Sequence, residues 1–212
     1  MKIRQLFPAL VLLGFLAFLA WLVLVLLPVV FVEVKYQAKS LFNSLGFANP
    51  SSLFRPNFEG FTIVGNVSKN KDYGIIIPKL GLDERVIFNV DPNNEAEYTA
   101  ALKQGIAHAS STNYPDQNGL GYYFAHSSSP GFQIQYNAVF YLLNKLEVND
   151  EIYIWHEQQR YRYLVESKKI NQSSDVAFLY ETYDEEMIVL QTCWPPGTTK
   201  ERLLVFAKRA KN

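Results

Sequence analysis

The sequence of 212 residues holds one cysteine, Cys193. The apolar run from Met187 to Leu190 leads through Gln191 and Thr192 into it, and Trp194-Pro195-Pro196-Gly197 follows at once. Proline ends ladder pairing and glycine permits unusual φ, so the thiol stands where a strand gives way to a turn. A thiolate presented at a strand end can attack a carbonyl carbon. Taken alone, such a cysteine is as readily a buried small hydrophobe. A single thiol forms no intramolecular disulfide and builds no cysteine-based zinc site.

Arg202 lies nine residues after Cys193 and opens the next apolar run, Leu203 to Phe206. If the two strands pair through the intervening loop, the guanidinium returns beside the thiol. It is charged at any working pH and offers several donors to a substrate carbonyl or an oxyanion. The alternative is a solvated strand-end arginine. His126 follows the run Gly121 to Ala125 and precedes Ser127-Ser128-Ser129-Pro130-Gly131, where an imidazole at a strand end can move protons. Of the other two histidines, His156 ends an alternating run and reads as solvent-facing. His108, in Gly105-Ile106-Ala107-His108, stays open.

The elements that must position these side chains read as mainly β. Short runs rich in Ile, Val, Tyr and Phe predict strands over 61–65, 73–78, 85–89, 121–125, 151–156, 160–167, 187–192 and 202–207. Helical pieces are predicted over 95–104 and over 137–146, where Val139, Leu142, Leu143 and Leu146 have helical spacing. There is no βαβ rhythm, so a closed eight-stranded barrel is expected.

Residues 5–32 carry no charge. As a helix at ~1.5 Å per residue such a run reaches about 40 Å, beyond the ~30 Å of a bilayer core and longer than the ~7–15 residues of a secretory leader's apolar region. The expected organisation is a cytoplasmic stub (1–4), one transmembrane signal anchor (5–32), a connector (33–72) and an extracytoplasmic domain (73–212). Twenty basic residues balance twenty acidic ones, so no nucleic-acid partner is expected. The acidic residues Asp175, Glu181, Asp184, Glu185 and Glu186 read as a solvated loop, with no metal and no cofactor expected.

Two blocks, in this order, resemble the sortases, cysteine transpeptidases of bacterial surfaces. One runs from Gly105-Ile106-Ala107-His108 through Pro115 and Gly119 to His126. The other is Leu190-Gln191-Thr192-Cys193-Trp194-Pro195 with Arg202-Leu203-Leu204-Val205 downstream. Similarity continues through Ile75–Leu80, Leu143–Asp150 and Tyr161–Val165 and covers roughly residues 73–207. Position 125 departs from the family pattern, with Ala where Gly is usual before the histidine.

The resemblance implies a sortase-type β-barrel in which His126, Cys193 and Arg202 take the three catalytic positions, with His108 outside them. It further implies a membrane-anchored transpeptidase. The enzyme would cleave a C-terminal sorting motif of exported proteins through a thioacyl intermediate. It would then join them to an amine acceptor from a cell-wall precursor or a pilin. A hydrolytic cysteine peptidase on the same fold and a non-enzymatic anchored surface module stand as alternatives.

Overall fold

The computed structural model describes residues 11–23, 30, 33–34, 36–38, 67–128 and 138–210. The chain divides into two compact units, one of residues 1–57 and 131–134 and one of residues 58–130 and 135–212. In the first, residues 11–23 are helical, and Leu13, Phe15 and Trp21 are exposed. Among the described residues no helix is long and apolar enough to cross a membrane. The rest of the expected span, the strand at 61–65 and most of the connector lie outside them.

The second unit holds a barrel of eight strands: β1 (Tyr73–Ile77), β2 (Leu82–Val90), β3 (Ile106–Ala109), β4 (Gly119–Phe124), β5 (Glu151–His156), β6 (Gln159–Gln172), β7 (Glu186–Trp194) and β8 (Glu201–Arg209). They close in the order β1-β2-β3-β4-β7-β8-β6-β5. Closure removes every edge with unpaired N–H and C=O groups. Two neighbouring pairs are parallel, β2 with β3 and β4 with β7. The crossover from β2 to β3 carries helix α1 (Glu95–Leu102), and the one from β4 to β7 carries β5 and β6. The helix starts where Asn94 accepts from the Glu97 N–H, with Glu95 and Glu97 in the first turn. After it, a Cβ at Gly105 would stand 2.4 Å from the Arg85 carbonyl oxygen, so only glycine lets β3 reach β2.

β3 was not among the expected strands. All four of its residues are buried, so no apolar-polar alternation marks it. β6 outruns its expected end because its second half, from Ser167, pairs with β8 beyond an irregularity after Val165. Lys168 and Lys169 there lie on a polar, exposed stretch that hides the strand from a hydrophobic pattern. The helix expected over 137–146 is corrected. The described part is a chain of turns ending in one 3-10 turn, Leu143–Lys145. Phe140, Leu143 and Leu146 are fully buried, a spacing of three that suits the tighter 3.0-residue turn.

The interior is filled by Ile75, Ile77, Ile152, Ile154, Tyr123 and Tyr163, each fully buried. At ~1.5–3 kcal/mol per large side chain, this packing holds the strand ends still enough to carry a site.

Candidate active site

Cys193 stands one residue before the end of β7 and Arg202 one residue into β8. The two are direct partners in the antiparallel ladder. Side chains opposite one another share a face, with Cβ atoms ~4.5–5.5 Å apart, so the Arg202 side chain leaves the ladder beside the thiol. The Arg202 Nη1 donates to the carbonyls of Thr199 and Glu201, at 3.0 Å each; Nε and Nη2 have no hydrogen-bond partner among the described residues and can meet a substrate oxygen. The thiol itself is half-buried.

His126 reaches the same place from β4. The β4–β7 register sets Phe124 against Gln191. Two bonds carry that pairing past the end of β4: the Ala125 N–H donates to the Gln191 carbonyl at 3.2 Å, and the Thr192 hydroxyl donates to the Ala125 carbonyl at 2.8 Å. Continuing the register puts His126 level with Cys193. Its own carbonyl accepts from the Phe140 N–H at 3.0 Å, so the backbone is tied on both sides of the imidazole. Burial holds His126 below its ordinary pKa, which keeps the ring neutral and able to accept a proton at neutral pH. Ala125, where the family pattern has glycine, is buried, and its backbone still makes both bonds to β7.

The other histidines belong elsewhere. His108 is 1% exposed and stacks on Tyr123 with ring centroids 4.8 Å apart. Its Nε2 meets the Asn113 carbonyl at 3.1 Å, so Nε2 carries the hydrogen. Nδ1 has no partner among the described residues, and burial depresses the pKa to about 4. His156 differs from its solvent-facing expectation: it is half-buried, stacked on Tyr114 at 5.4 Å and edge-on to Tyr73 at 4.7 Å.

In the acidic loop Asp175, Glu181 and Asp184 are exposed, as expected, whereas Glu185 and Glu186 are half-buried. Glu186 opens β7, accepts from the Tyr163 hydroxyl and the Asp116 N–H, and pairs with Arg209 at 3.2 Å. Glu185 pairs with Lys208. Among the described residues no group of three or more His, Cys, Asp or Glu could hold a metal ion.

Sequence reasoning missed Tyr122. It lies four residues before His126, and side chains two apart on a strand share a face, so Tyr122, Phe124 and His126 point the same way. That two-residue period was readable, but a tyrosine in an apolar strand reads first as core.

The sortase domain's family profile matches residues 75–210, nearly two thirds of the chain. The chain belongs to the sortase family. A curated relative, Sortase D of Bacillus subtilis (strain 168), is 23% identical over 136 residues, covering 63% of this chain and 61% of that protein. The chain thus spans about three fifths of that sortase's length. Among solved structures, Sortase C1 of Streptococcus agalactiae is 27% identical with a TM-score of 0.56, covering 66% of this chain and 67% of that one. Sortase C-1 of Actinomyces oris has a TM-score of 0.57 at 21% identity, covering 66% and 74%. Sortase A of Corynebacterium diphtheriae has a TM-score of 0.57 at 23% identity, covering 66% and 61%. Among these solved structures, sortases of two letters, A and C, share this fold with similar TM-scores.

Proposed function

We propose that this sortase is a membrane-anchored cysteine transpeptidase, with Cys193 as nucleophile, His126 as the proton-transferring group and Arg202 as the oxyanion or substrate clamp. The observation that carries the reading is the convergence of the three on one face. Cys193 and Arg202 are ladder partners, and the Thr192–Ala125 bond brings His126 level with them.

In the first half-reaction His126 takes the thiol proton and the thiolate attacks a backbone carbonyl of the substrate. The developing oxyanion meets the remaining N–H donors of Arg202. The imidazolium gives its proton to the leaving amine as the C–N bond breaks, and a thioester forms. In the second half-reaction a new amine attacks the thioester, and His126 takes the amine proton. The C–S bond breaks, and the proton returns to the thiolate. Every proton removed is given back, so the enzyme needs no co-reactant beyond the incoming amine.

The substrate class is an exported protein bearing a C-terminal sorting signal, and the acceptor is an amine of a cell-wall precursor or a pilin. The uncharged run of residues 5–32 supplies a single-pass anchor with the N-terminus cytoplasmic and the catalytic domain outside. Tethering enzyme and substrate to one membrane raises their effective concentration. The test is a sorting-type peptide offered to the purified chain with and without an amine acceptor. Amine-ligated product is expected. Cleavage whose product is unchanged by the acceptor would make the chain a hydrolase.

A further inference from the structure

Side by side across three ladders, Arg85 of β2, Gly74 of β1, Trp155 of β5 and Arg160 of β6 form one row. Their neighbours along each strand, Val86, Ile75, Ile154 and Tyr161, fill the interior, so the row stands on the outside of the barrel. The incoming chain crosses it. A Cβ at Gly74 would stand 2.6 Å from the Asn70 carbonyl oxygen, so glycine admits the segment there. The carbonyls of Lys71 and Asp72 then accept from the N–H groups of Gln158 and Glu157, at 3.0 Å each, which fixes the crossing against the β5–β6 turn.

This surface has the composition of a water–lipid boundary. Lys71 lies over the Trp155 ring, 5.5 Å from its centroid, and Arg160 lies over Tyr153 at 5.3 Å. Trp155 is half-exposed, and Val67, Lys71, Arg85 and Arg160 are exposed. The nearby carboxylates are engaged by other groups. Asp83 accepts from the Ser68 hydroxyl and the Lys69 N–H, Asp72 accepts from the Gln158 carboxamide, and Glu151 pairs with Arg162 at 2.7 Å. No carboxylate pairs with Lys71, Arg85 or Arg160 among the described residues. Long cationic side chains lay their stems on apolar surface and keep their charge in water. Cations around a tryptophan attract an anionic surface, and an indole settles at the headgroup level of a bilayer.

The place of the face in the barrel fits that partner. The β5–β1 seam lies opposite the β4–β7 seam, with three ladders between them either way round. Cys193, His126 and Arg202 stand at or beside the β4–β7 seam, so lipid at Trp155 leaves them uncovered. The chain also enters the barrel across this face, from the side of the sequence that holds the uncharged run 5–32.

We propose that the Trp155 face, with Lys71, Arg85 and Arg160, docks on the phosphate headgroups of anionic lipids and holds the barrel on the membrane surface with its active site open. The assignment rests on the reading of residues 5–32 as an anchor, which supplies the nearby bilayer. A tether alone fixes distance but not orientation. A second contact with the same membrane, made intramolecular by the anchor, fixes both.

The test reconstitutes the full chain into nanodiscs of phosphatidylcholine alone or with about one third phosphatidylglycerol, doped with a headgroup-nitroxide lipid. The readout is nitroxide quenching of Trp155, taken as the difference between wild type and Trp155→Phe. Quenching is expected in the anionic discs only, and should vanish in ~1 M salt, where the Debye length is ~3 Å. Lys71→Gln and Arg160→Gln should each cut the docked-to-free ratio about fivefold. Both should leave acylation of Cys193 by a soluble peptide unchanged. Equal quenching in the two discs, none in either, or full quenching in the double variant overturns the docking. Loss of quenching to a soluble glycerol-phosphate polymer at matched phosphate assigns the face to a wall polymer and overturns it too. A chain that leaves the discs in ~1 M salt overturns the anchor reading instead. Binding to anionic but not neutral vesicles at low salt then still upholds the face, and its absence overturns it.

Discussion

The Thr192 hydroxyl donates to the carbonyl of Ala125 at 2.8 Å, deep in the seam between β7 and β4. Thr192 precedes Cys193 and Ala125 precedes His126, so one buried bond joins the supports of both side chains. Its partners alternate in direction with the groups that react: Thr192 points into the protein and Cys193 outward. Removing this bond while keeping the shape of the side chain isolates its contribution. Thr192→Val should lower stability by about 1–3 kcal/mol in urea denaturation, because the Ala125 carbonyl is left buried and unpaired. It should slow acylation about tenfold or more through misplacement of His126. Thr192→Ser should restore most of both. Slow acylation by the serine variant would place the effect in the lost methyl group rather than in the bond.

His126 is held below 6.5 by burial. Its protonated form is therefore confined to acid, and the resting site holds a neutral imidazole. An NMR titration of the His126 ring should give a midpoint below 6.5. A midpoint above 6.5 would mean that the site rests as a thiolate–imidazolium pair, contrary to the proton path described above.

His108 makes a different pH prediction. Its pKa falls from 6.5 to about 4 on folding, so the unfolded chain takes up a proton in a range where the folded chain does not. The stability contributed by the neutral ring is complete above pH 6.5, falls as pH drops through the interval, and levels off below about 4. The full loss is about 3 kcal/mol. His108→Gln should be less stable at pH 7 and should lack this component between pH 6.5 and 4. Urea midpoints of the two proteins across that range measure it; parallel curves would contradict the account.

The β5–β6 hairpin turns at Glu157 and Gln158, both with positive φ, 49° and 66°. Those angles suit asparagine and glycine better than the residues present. Gln158 also holds Asp72 through its side chain, at 2.5 Å. Glu157→Asn should therefore stabilise the fold by about 0.5–1 kcal/mol and keep that contact. Thermal unfolding checks the sign.

The barrel was legible because its strands carry β-branched and aromatic runs between turn signals. β3 was not, since four buried residues with two alanines carry no period. The 138–146 segment misled because three-residue spacing over so short a stretch resembles a helical stripe until its fully buried positions are known. At the site, the nine-residue separation of Cys193 and Arg202 was enough to foresee their pairing, since a hairpin returns the chain to its start. The proximity of His126 depended on a parallel pairing between strands more than sixty residues apart, which no local pattern encodes and only family likeness suggested. Tyr122 was hidden for the same reason, because an aromatic residue on an apolar run does not announce which face it occupies.

The central claim is that Cys193 forms the acyl bond and passes it to an amine. Intact-mass analysis of the full chain, mixed with a peptide library and then chased with an amine, tests it directly. The account predicts a thioacyl adduct on Cys193 that is absent from Cys193→Ala and is discharged faster by amine than by water. Cleavage that persists in Cys193→Ala, or an unmodified thiol while cleavage proceeds, would contradict it.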